Sequence, residues 1–550
     1  MKESDILSRN CITPSPNSRL SNFESLLTDD VVKLVKNMNN KSHPDNILPV
    51  WLVKEKVDVF APIFRTIINK SFEEGKYPSS LKLGTVRPVI KEKNSDTENY
   101  KNFRPVTNIP FLPKLIEKAA NNQIQKYLKE NDLYPPNQSA YREAHSCETA
   151  MFNIVNNIQK SVQEKKMVML VLLDLSSAFD TIDQDILLFK LLHHFGIGGT
   201  VLEWLKTYLK GRSFCVRIRN VNGKKCLLFL IYGVPQGTVL GPLLFSLYIH
   251  DITAVATKHE VSIDLYADDS KWYLSFSPLY EKSEAIRKMQ NCMSDLKFWM
   301  EDNFLKVNFD KTDVLFLGNP LFCNIFAGYL GCTIQGKDFV YNLNSSLKKK
   351  SLGVYLDSAL SMNKMVNDCV KDCYFQLKKL GGIKRLLDTD MKITMVQSYI
   401  LSRLDFCNSL YCNISVTLLN KLHSLLNACI RFIYGCSRPE RNLDTYEQSH
   451  ILPMKYRIMF KLCLIAFKIL NNLSPVYLQN VICFKIPVIG TRLLRSSLDF
   501  YQVELPRQRD TNEYIMAEYW NALPINIRLL HDIDIFKRDL KTYFFTLAFS

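Results

Sequence analysis

Met167-Val168-Met169-Leu170-Val171-Leu172-Leu173 is seven apolar residues without a break, and the next residue is Asp174. The run is short for a helix and reads as a β-strand buried on both faces. A carboxylate ending such a strand is costly unless it is paired, solvated or metal-bound. Further on, residues 263–266 and 272–276 read as a hairpin, with Tyr266-Ala267-Asp268-Asp269 at its turn. Adjacent carboxylates at a tight turn repel each other, and a divalent cation would relieve the repulsion. If the strand end and the turn are neighbours, three carboxylates converge on one region. That set suits two Mg²⁺ ions about 3.5–4 Å apart, which together activate an attacking hydroxyl and stabilise a leaving oxygen. Taken alone, YADD is better explained as a turn former, because Asp favours turns. Paired with Asp174, the metal reading is the stronger.

Between the two acidic sites lies Gly233-Val234-Pro235-Gln236-Gly237-Thr238-Val239-Leu240-Gly241-Pro242. Glycine lets a backbone approach a ligand closely, and the Gln236 amide can hydrogen-bond a base or sugar. An ordinary loop leading into a helix over 243–249 is the plainer reading. Around this centre helix and strand alternate. Residues 26–38 have helical spacing, with Val31, Val32, Leu34 and Val35 on or near one face. Helical spacing returns over 51–72, with a kink expected at Pro62. Residues 84–90 read as a strand and 94–102 as a polar loop. Met151, Ile154, Val155, Ile158 and Val162 mark a helix. Another spans 186–195 and stops at Gly196, where His193 and His194 read as packing or capping groups. Asp180, Asp183 and Asp185 crowd its start, which complementing the helix dipole explains. Residues 213–232 read as a hairpin turning at Asn222-Gly223. Ile286, Met289 and Met293 recur at helix spacing. After about residue 360 strand signals fade, and Leu418, Leu422, Leu425, Cys429 and Phe432 form an apolar stripe ending at Gly435.

A chain of 550 residues is too long for one core, so several domains are expected. With 47% hydrophobic and 23% charged residues the composition is that of a globular protein, which excludes a largely disordered chain. Seventy Lys and Arg against 54 Asp and Glu give a net charge of +16, which favours a polyanionic partner. The apolar runs fall well short of the roughly 18 residues a membrane span needs, and the N-terminus has no secretory apolar segment. Neither membrane insertion nor secretion is expected. The 15 cysteines, including Cys369-x3-Cys373 and Cys407-x4-Cys412, lack zinc spacing and read as buried thiols in a reducing compartment.

The segments Leu173-Asp174-Leu175-Ser176-Ser177-Ala178-Phe179-Asp180, 233–242 and Tyr266–Asp269, in this order, resemble the reverse transcriptases. The likeness extends to jockey-like non-LTR (LINE) retrotransposons. Lys41-Ser42-His43-Pro44-Asp45, Asn102-Phe103-Arg104-Pro105-Val106 and Gln138-Ser139-Ala140-Tyr141-Arg142 are similar to segments of that group, as are 402–409, 520–524 and 536–541. The resemblance implies an α+β, right-hand polymerase fold with fingers, an antiparallel-sheet palm, a helical thumb and a mostly helical C-terminal region. It divides the chain into an N-terminal helical extension (1–71), fingers and palm (72–340), primer-grip hairpin and thumb (341–436) and a C-terminal region (437–550). It implies an RNA-directed DNA polymerase acting on an RNA template, a DNA primer or target and dNTPs, with two Mg²⁺ ions or Mn²⁺ in their place.

The resemblance also implies roles. Asp174 and Asp268 would be the principal metal ligands, Asp269 a supporting carboxylate and Leu175 a backbone-carbonyl ligand. Phe179 would exclude a 2′-hydroxyl from the incoming sugar; without the resemblance it reads as a core residue. Gln236 and Gly237 would line nucleotide and template, and Arg104 would clamp the triphosphate with its planar fork. Lys91 or Lys93 would assist, an exposed loop lysine being the competing reading. Lys311 would lie near the leaving pyrophosphate, against the plain reading of a solvated lysine. Leu352-Gly353-Val354-Tyr355-Leu356-Asp357 resembles the primer-grip hairpin. The basic clusters Lys348-Lys349-Lys350 and Lys378-Lys379 with Lys384-Arg385 are read as phosphate contacts, a solvated helix face being the competing reading. Only about 85 residues precede the fingers strand, so an endonuclease domain is not expected there and a truncated element is. The alternatives are a silent nucleic-acid-binding relic, a group II intron maturase-like protein and an RNA-dependent RNA polymerase. Phe179 and a turn without glycine disfavour the last.

Overall fold

In chain order the strands are β1 (Leu83–Ile90), β2 (Phe103–Asn108), β3 (Met167–Leu173), β4 (Arg212–Val216), β5 (Cys226–Leu230), β6 (Ser262–Tyr266), β7 (Asp269–Phe276), β8 (Asp313–Leu317), β9 (Cys332–Gly336), β10 (Phe339–Ser345), β11 (Lys348–Ser351) and β12 (Val354–Asp357). The computed structural model describes residues 18–40, 43, 46, 48–91, 96–176, 178–216, 226–308, 312–329, 332–336, 339–345, 348–435, 443–485 and 501–549. They form two compact units, Met1–Tyr141 with Asp174–His259 and Cys292–Asn308, and Arg142–Leu173 with Glu260–Asn291 and Phe309–Ser550. Between β1 and β12 strands are interspersed with helices, with helices before and after, the α+β class expected.

The first unit holds a four-stranded sheet ordered β2-β1-β4-β5, antiparallel except for the β1–β4 pair. The β4–β5 hairpin has the antiparallel pairing the sequence predicts; its Asn222-Gly223 turn lies outside the described residues. The helix Thr28–Asn37 buries Val31 and Val35. The expected kink at Pro62 is not there. The chain breaks instead at Lys56 (φ −104°, ψ 36°), between helices Val50–Glu55 and Val57–Glu73, and Pro62 sits inside the second. Pro62 and Asp58 are both exposed, so water can take up the Asp58 carbonyl that the missing N–H leaves over.

Polar side chains lock the core of this unit. Lys190, fully buried on helix Gln184–His193, donates to the Tyr248 carbonyl (2.8 Å), Asp251 Oδ1 (2.7 Å) and Asn303 Oδ1 (2.7 Å). Burial pushes the Asp251 carboxyl up, but Lys190, His250 and His194 outweigh it and hold it below the usual carboxylate range. Burial pulls His194 down to about 4, with Asp251 opposing and His250, Lys190 and His193 adding. A histidine kept neutral by the fold gains protons on unfolding, so its contribution is complete above its ordinary value of 6.5 and is lost as pH falls towards 4. Loss of the Asp251 contribution runs in the same direction. The unfolding midpoint of the protein is therefore expected to drop between pH 7 and pH 5, and His194→Leu to flatten that drop; a wild-type midpoint that is level over this range would contradict it.

The second unit is built on a six-stranded sheet ordered β6-β7-β3-β8-β10-β9. β3 is central and pairs antiparallel with both β7 and β8, and all seven of its residues are buried. This is why its sequence carries no alternation. Helix Cys147–Gln163 packs on the sheet and begins with a capping box, in which Ser146 Oγ accepts from the Thr149 amide (3.1 Å) and Thr149 Oγ1 from that of Ser146 (2.9 Å). After β12 the described chain is helical apart from one bridge, Phe484 to Val503. The helix Val416–Tyr434 buries Leu418, Leu422, Leu425, Cys429 and Phe432 and ends at Gly435, whose φ of 74° suits glycine. One hydrophobic cluster runs from Val168, Leu170 and Leu172 of β3 through this helix to Leu462, Trp520 and Phe536. Among the described residues the cysteines are free and mostly buried. Burial pushes the Cys429 thiol up to about 12. No helix of the described residues is long and apolar enough to cross a membrane.

Candidate active site

The β6–β7 register closes on the pair Tyr266↔Asp269, leaving Ala267 and Asp268 as a two-residue turn. Ala267 has φ 56°, a left-handed conformation more natural to glycine and costing of order 1 kcal/mol. On the other side of β7, Ser270 pairs with Leu173, the last residue of β3. The turn thus stands beside the end of the apolar strand, and the next residue along the chain is Asp174. Strand alternation puts Asp269, Lys271 and Tyr273 on one face of β7 and Ser270 and Trp272 on the other. Helix Cys147–Gln163 reaches the first face, where Asn157 Nδ2 donates to the Tyr273 hydroxyl (3.4 Å) and Asn153 Nδ2 to Asp264 Oδ1 (3.4 Å). Lys271 is 1% exposed. Burial pulls its ammonium down, and Asp269 and then Asp264 pull it back up.

In the first unit, Asp174 is laced to residues 306–308. Its carbonyl accepts from the Asn308 amide (2.9 Å), and Asn308 Nδ2 donates to Asp174 Oδ2 (3.3 Å). Leu175, buried, bridges to Val307, and the Ser176 amide donates to the Lys306 carbonyl (2.8 Å). The grip of Asn308 on the Asp174 carboxylate links positions 134 apart, beyond the reach of local pattern. Lys311 and Lys93 lie outside the described residues. In the Lys41–Asp45 segment His43 is buried, and the others lie outside the described residues.

The glycine-rich segment is held on three sides within the same unit. The Gly233 amide donates to the Ile182 carbonyl (2.7 Å) and the Val234 amide to that of Phe179 (2.9 Å). The Thr107 amide of β2 donates to the Gln236 carbonyl (2.8 Å), so the strand bearing exposed Arg104 and the loop bearing Gln236 are joined. Beneath, fully buried Glu117 accepts from the amides of Val239 (2.8 Å) and Leu240 (3.4 Å), with the Arg212 guanidinium 4.0 Å away. Burial raises the Glu117 carboxyl, and Arg212 and the two amides counteract it. Phe179, half-buried, stacks on Phe245 with centroids 4.6 Å apart, which serves a core residue and a rigid gate alike.

Gly237 has φ 92°, and a Cβ there would lie 2.4 Å from the Thr107 carbonyl oxygen. Gly237→Ala is expected to cost about 1–3 kcal/mol of stability through strain and overlap. Thermal unfolding checks this, and an unchanged midpoint would show that the loop does not pack on β2.

Leu352 (φ 47°) and Gly353 (φ 83°) make the turn of the β11–β12 hairpin, the segment likened to a primer grip. Lys350 lies 5.3 Å from the Tyr355 ring, and Lys349 pairs with Asp313, so one lysine of that cluster already has an anionic partner. Lys378 and Lys379 are exposed.

The donor set bears on a divalent ion. Among the described residues no group of three or more His, Cys, Asp or Glu side chains is placed to hold a metal. Mg²⁺ takes hard oxygen ligands and is usually held by one or two carboxylates with waters and substrate phosphates making up the rest. Asp174, whose Oδ2 accepts from Asn308, is one such oxygen donor in the first unit, and Asp268, in the strained turn, is one in the second.

Residues 90–356 match the family model described as reverse transcriptase (RNA-dependent DNA polymerase). The "Probable RNA-directed DNA polymerase from transposon BS" of Drosophila melanogaster is 26% identical over 371 residues, 65% of this chain and 38% of that protein. The "RNA-directed DNA polymerase from mobile element jockey" of Drosophila funebris is 23% identical over 428 residues, 76% of this chain and 44% of its own length. Among solved structures, apo telomerase from Candida tropicalis truncated from the C-terminal domain shares 13% identity at a TM-score of 0.34, covering 51% of this chain and 54% of that one. The chain spans less than half the length of the two curated relatives. Residues 90–356 thus match the reverse transcriptase family, whose members generally use divalent metal ions, and the two relatives are RNA-directed DNA polymerases of the transposon BS and the mobile element jockey.

Proposed function

We propose that the protein is an RNA-directed DNA polymerase of a non-LTR retrotransposon, extending a primer 3′-hydroxyl with dNTPs on an RNA template. The observation that carries this reading is the β6–β7 turn bearing Asp268 and Asp269 beside the end of β3, after which Asp174 follows directly. In this reading Asp174 and Asp268 are the principal ligands of two Mg²⁺ ions, Asp269 supports them and the Leu175 carbonyl completes the set. When bound, the two ions supply activation of the primer hydroxyl and stabilisation of the departing pyrophosphate. Asn308 holds the Asp174 carboxylate in place. Arg104 binds the triphosphate, Gln236 and Gly237 line the nucleotide and template, Phe179 excludes a 2′-hydroxyl and Lys311 attends the pyrophosphate. Residues 72–340 would then be fingers and palm, 341–436 the primer grip and thumb, with a helical extension before them and a helical region after. The net charge of +16 supports a polyanionic partner.

A primed RNA template incubated with Mg²⁺ or Mn²⁺, with dNTPs and rNTPs in parallel, tests the reading. Incorporation of dNTPs in preference to rNTPs is expected. Tight RNA binding without any incorporation selects the relic reading, and preference for rNTPs selects an RNA polymerase.

A further inference from the structure

Asp180 stands four residues before the first residue of helix Gln184–His193, while Asp183 is the residue that caps it, accepting from the amides of Asp185 and Ile186. Helix capping therefore accounts for Asp183 and leaves Asp180 over. Both Asp180 oxygens instead lie 3.2 Å from Gln236 Nε2, across 56 positions of sequence. The loop around Gln236 is already fixed through its backbone. Thr107 binds the Gln236 carbonyl, Gly233 and Val234 donate to Ile182 and Phe179, and Gln184 Nε2 donates to the Gly233 carbonyl (3.1 Å). What the backbone does not fix is which end of the Gln236 amide faces outward. An ionised carboxylate only accepts hydrogen bonds, so it selects the amide nitrogen and turns Oε1 the other way.

We infer that Asp180 is a positioning residue that makes Gln236 present an acceptor oxygen to a donor group of the bound nucleotide or template. The inference rests on the polymerase reading for what is bound, but not for the orientation itself. Partial desolvation lifts the Asp180 carboxyl above the ordinary carboxylate value, and the Gln236 hydrogen bond and then the charge of Lys91 oppose that rise. A misoriented amide would offer donor to donor, so the loss should fall on recognition and leave the metal-dependent step alone.

The test uses the full chain and three variants, Asp180→Asn, Gln236→Glu and the double substitution. Asp180→Asn lets the Gln236 amide turn either way, and KM for dNTP is expected to rise about tenfold with kcat changed less than about twofold. Gln236→Glu sets two carboxylates face to face, and these cannot both ionise. Its KM defect is expected to be slight near pH 5.5, where one proton is shared, and to grow as pH rises to 8. The double substitution restores a donor facing a carboxylate with the roles exchanged, and should recover most of the affinity at pH 8. Running the series on RNA and on DNA templates separates the sources of the donor: a defect confined to RNA places it on a template 2′-hydroxyl, and an equal defect places it on the nucleotide. Unfolding midpoints over the same pH range give a readout without turnover, since Gln236→Glu alone should lose stability as pH rises and the double variant should regain it. Failure of the double variant to recover either readout overturns the inference. Absence of incorporation by the unmodified protein overturns the polymerase reading, while the midpoints still decide the orientation.

Discussion

Incorporation of dNTPs on primed RNA is expected to fall by at least about a thousandfold when Asp268 is replaced by Asn, close to abolition. The change removes one charge and almost no volume, so it tests ligand chemistry rather than packing. A divalent ion contributes several kcal/mol of charge stabilisation to the reacting oxygens, and each 1.36 kcal/mol is tenfold in rate. Asp174→Asn should be as severe, since a neutral amide is a poorer ligand for a divalent ion and a weaker acceptor for Asn308. Asp269→Asn should be milder, because Asp269 shares its strand face with buried Lys271. The fold should survive in the Asp268 variant, since one of two adjacent like charges is gone, and an unfolding midpoint equal to or above that of the parent is the control. Binding of Mn²⁺, followed by its paramagnetic signal, should weaken in parallel with activity. Near-normal incorporation by Asp268→Asn would refute the site.

The largest effect on stability is expected at Lys190→Met. Methionine keeps the length of the side chain between the rings of Tyr248 and Trp299, which lie 4.9 and 5.1 Å from the ammonium. Three acceptors nevertheless lose their donor, and the Asp251 side chain, 3% exposed, becomes a buried charge with no lysine opposite. Breaking such a pair from one side costs about 3–5 kcal/mol. For a unit of this size that corresponds to about 10 °C or more in the unfolding midpoint. Replacing both partners, Lys190→Met with Asp251→Leu, should give back much of the loss, because no charge is then left uncompensated. Calorimetry of the single and double variants decides it, and a single variant melting with the parent would show the network to be dispensable.

What could be read from the sequence divides along a physical line. β3 was legible because seven apolar residues in a row have only one use at that length. The β6–β7 hairpin and the stripe ending at Gly435 were legible because side-chain period and turn chemistry are local properties. The carboxylates of Asp174 and Asp268 stood out for the same reason, as charges placed where apolar strands end. What holds the site was not legible. Asn308 on Asp174, Asp180 on Gln236 and Glu117 under Val239 join positions that no periodicity connects, and complementing a helix dipole is reason enough for Asp180 as far as local sequence goes. Nothing in the local pattern sets Lys190 apart from other lysines, yet the fold surrounds it with acceptors. The break at Lys56 in place of Pro62 shows the same limit: an exposed proline can be hydrated inside a helix, and only tertiary placement says whether it is.

The two units are each assembled from three separate stretches of chain, threaded alternately. A ribosome making this protein at about 5–20 residues per second releases the last stretch of the first unit only with residue 308. Until then β1 and β4, neighbours by parallel pairing, wait without the helical segment that seals Lys190. A single cut between residues 142 and 308 divides both units, so pieces made there should be poor folders.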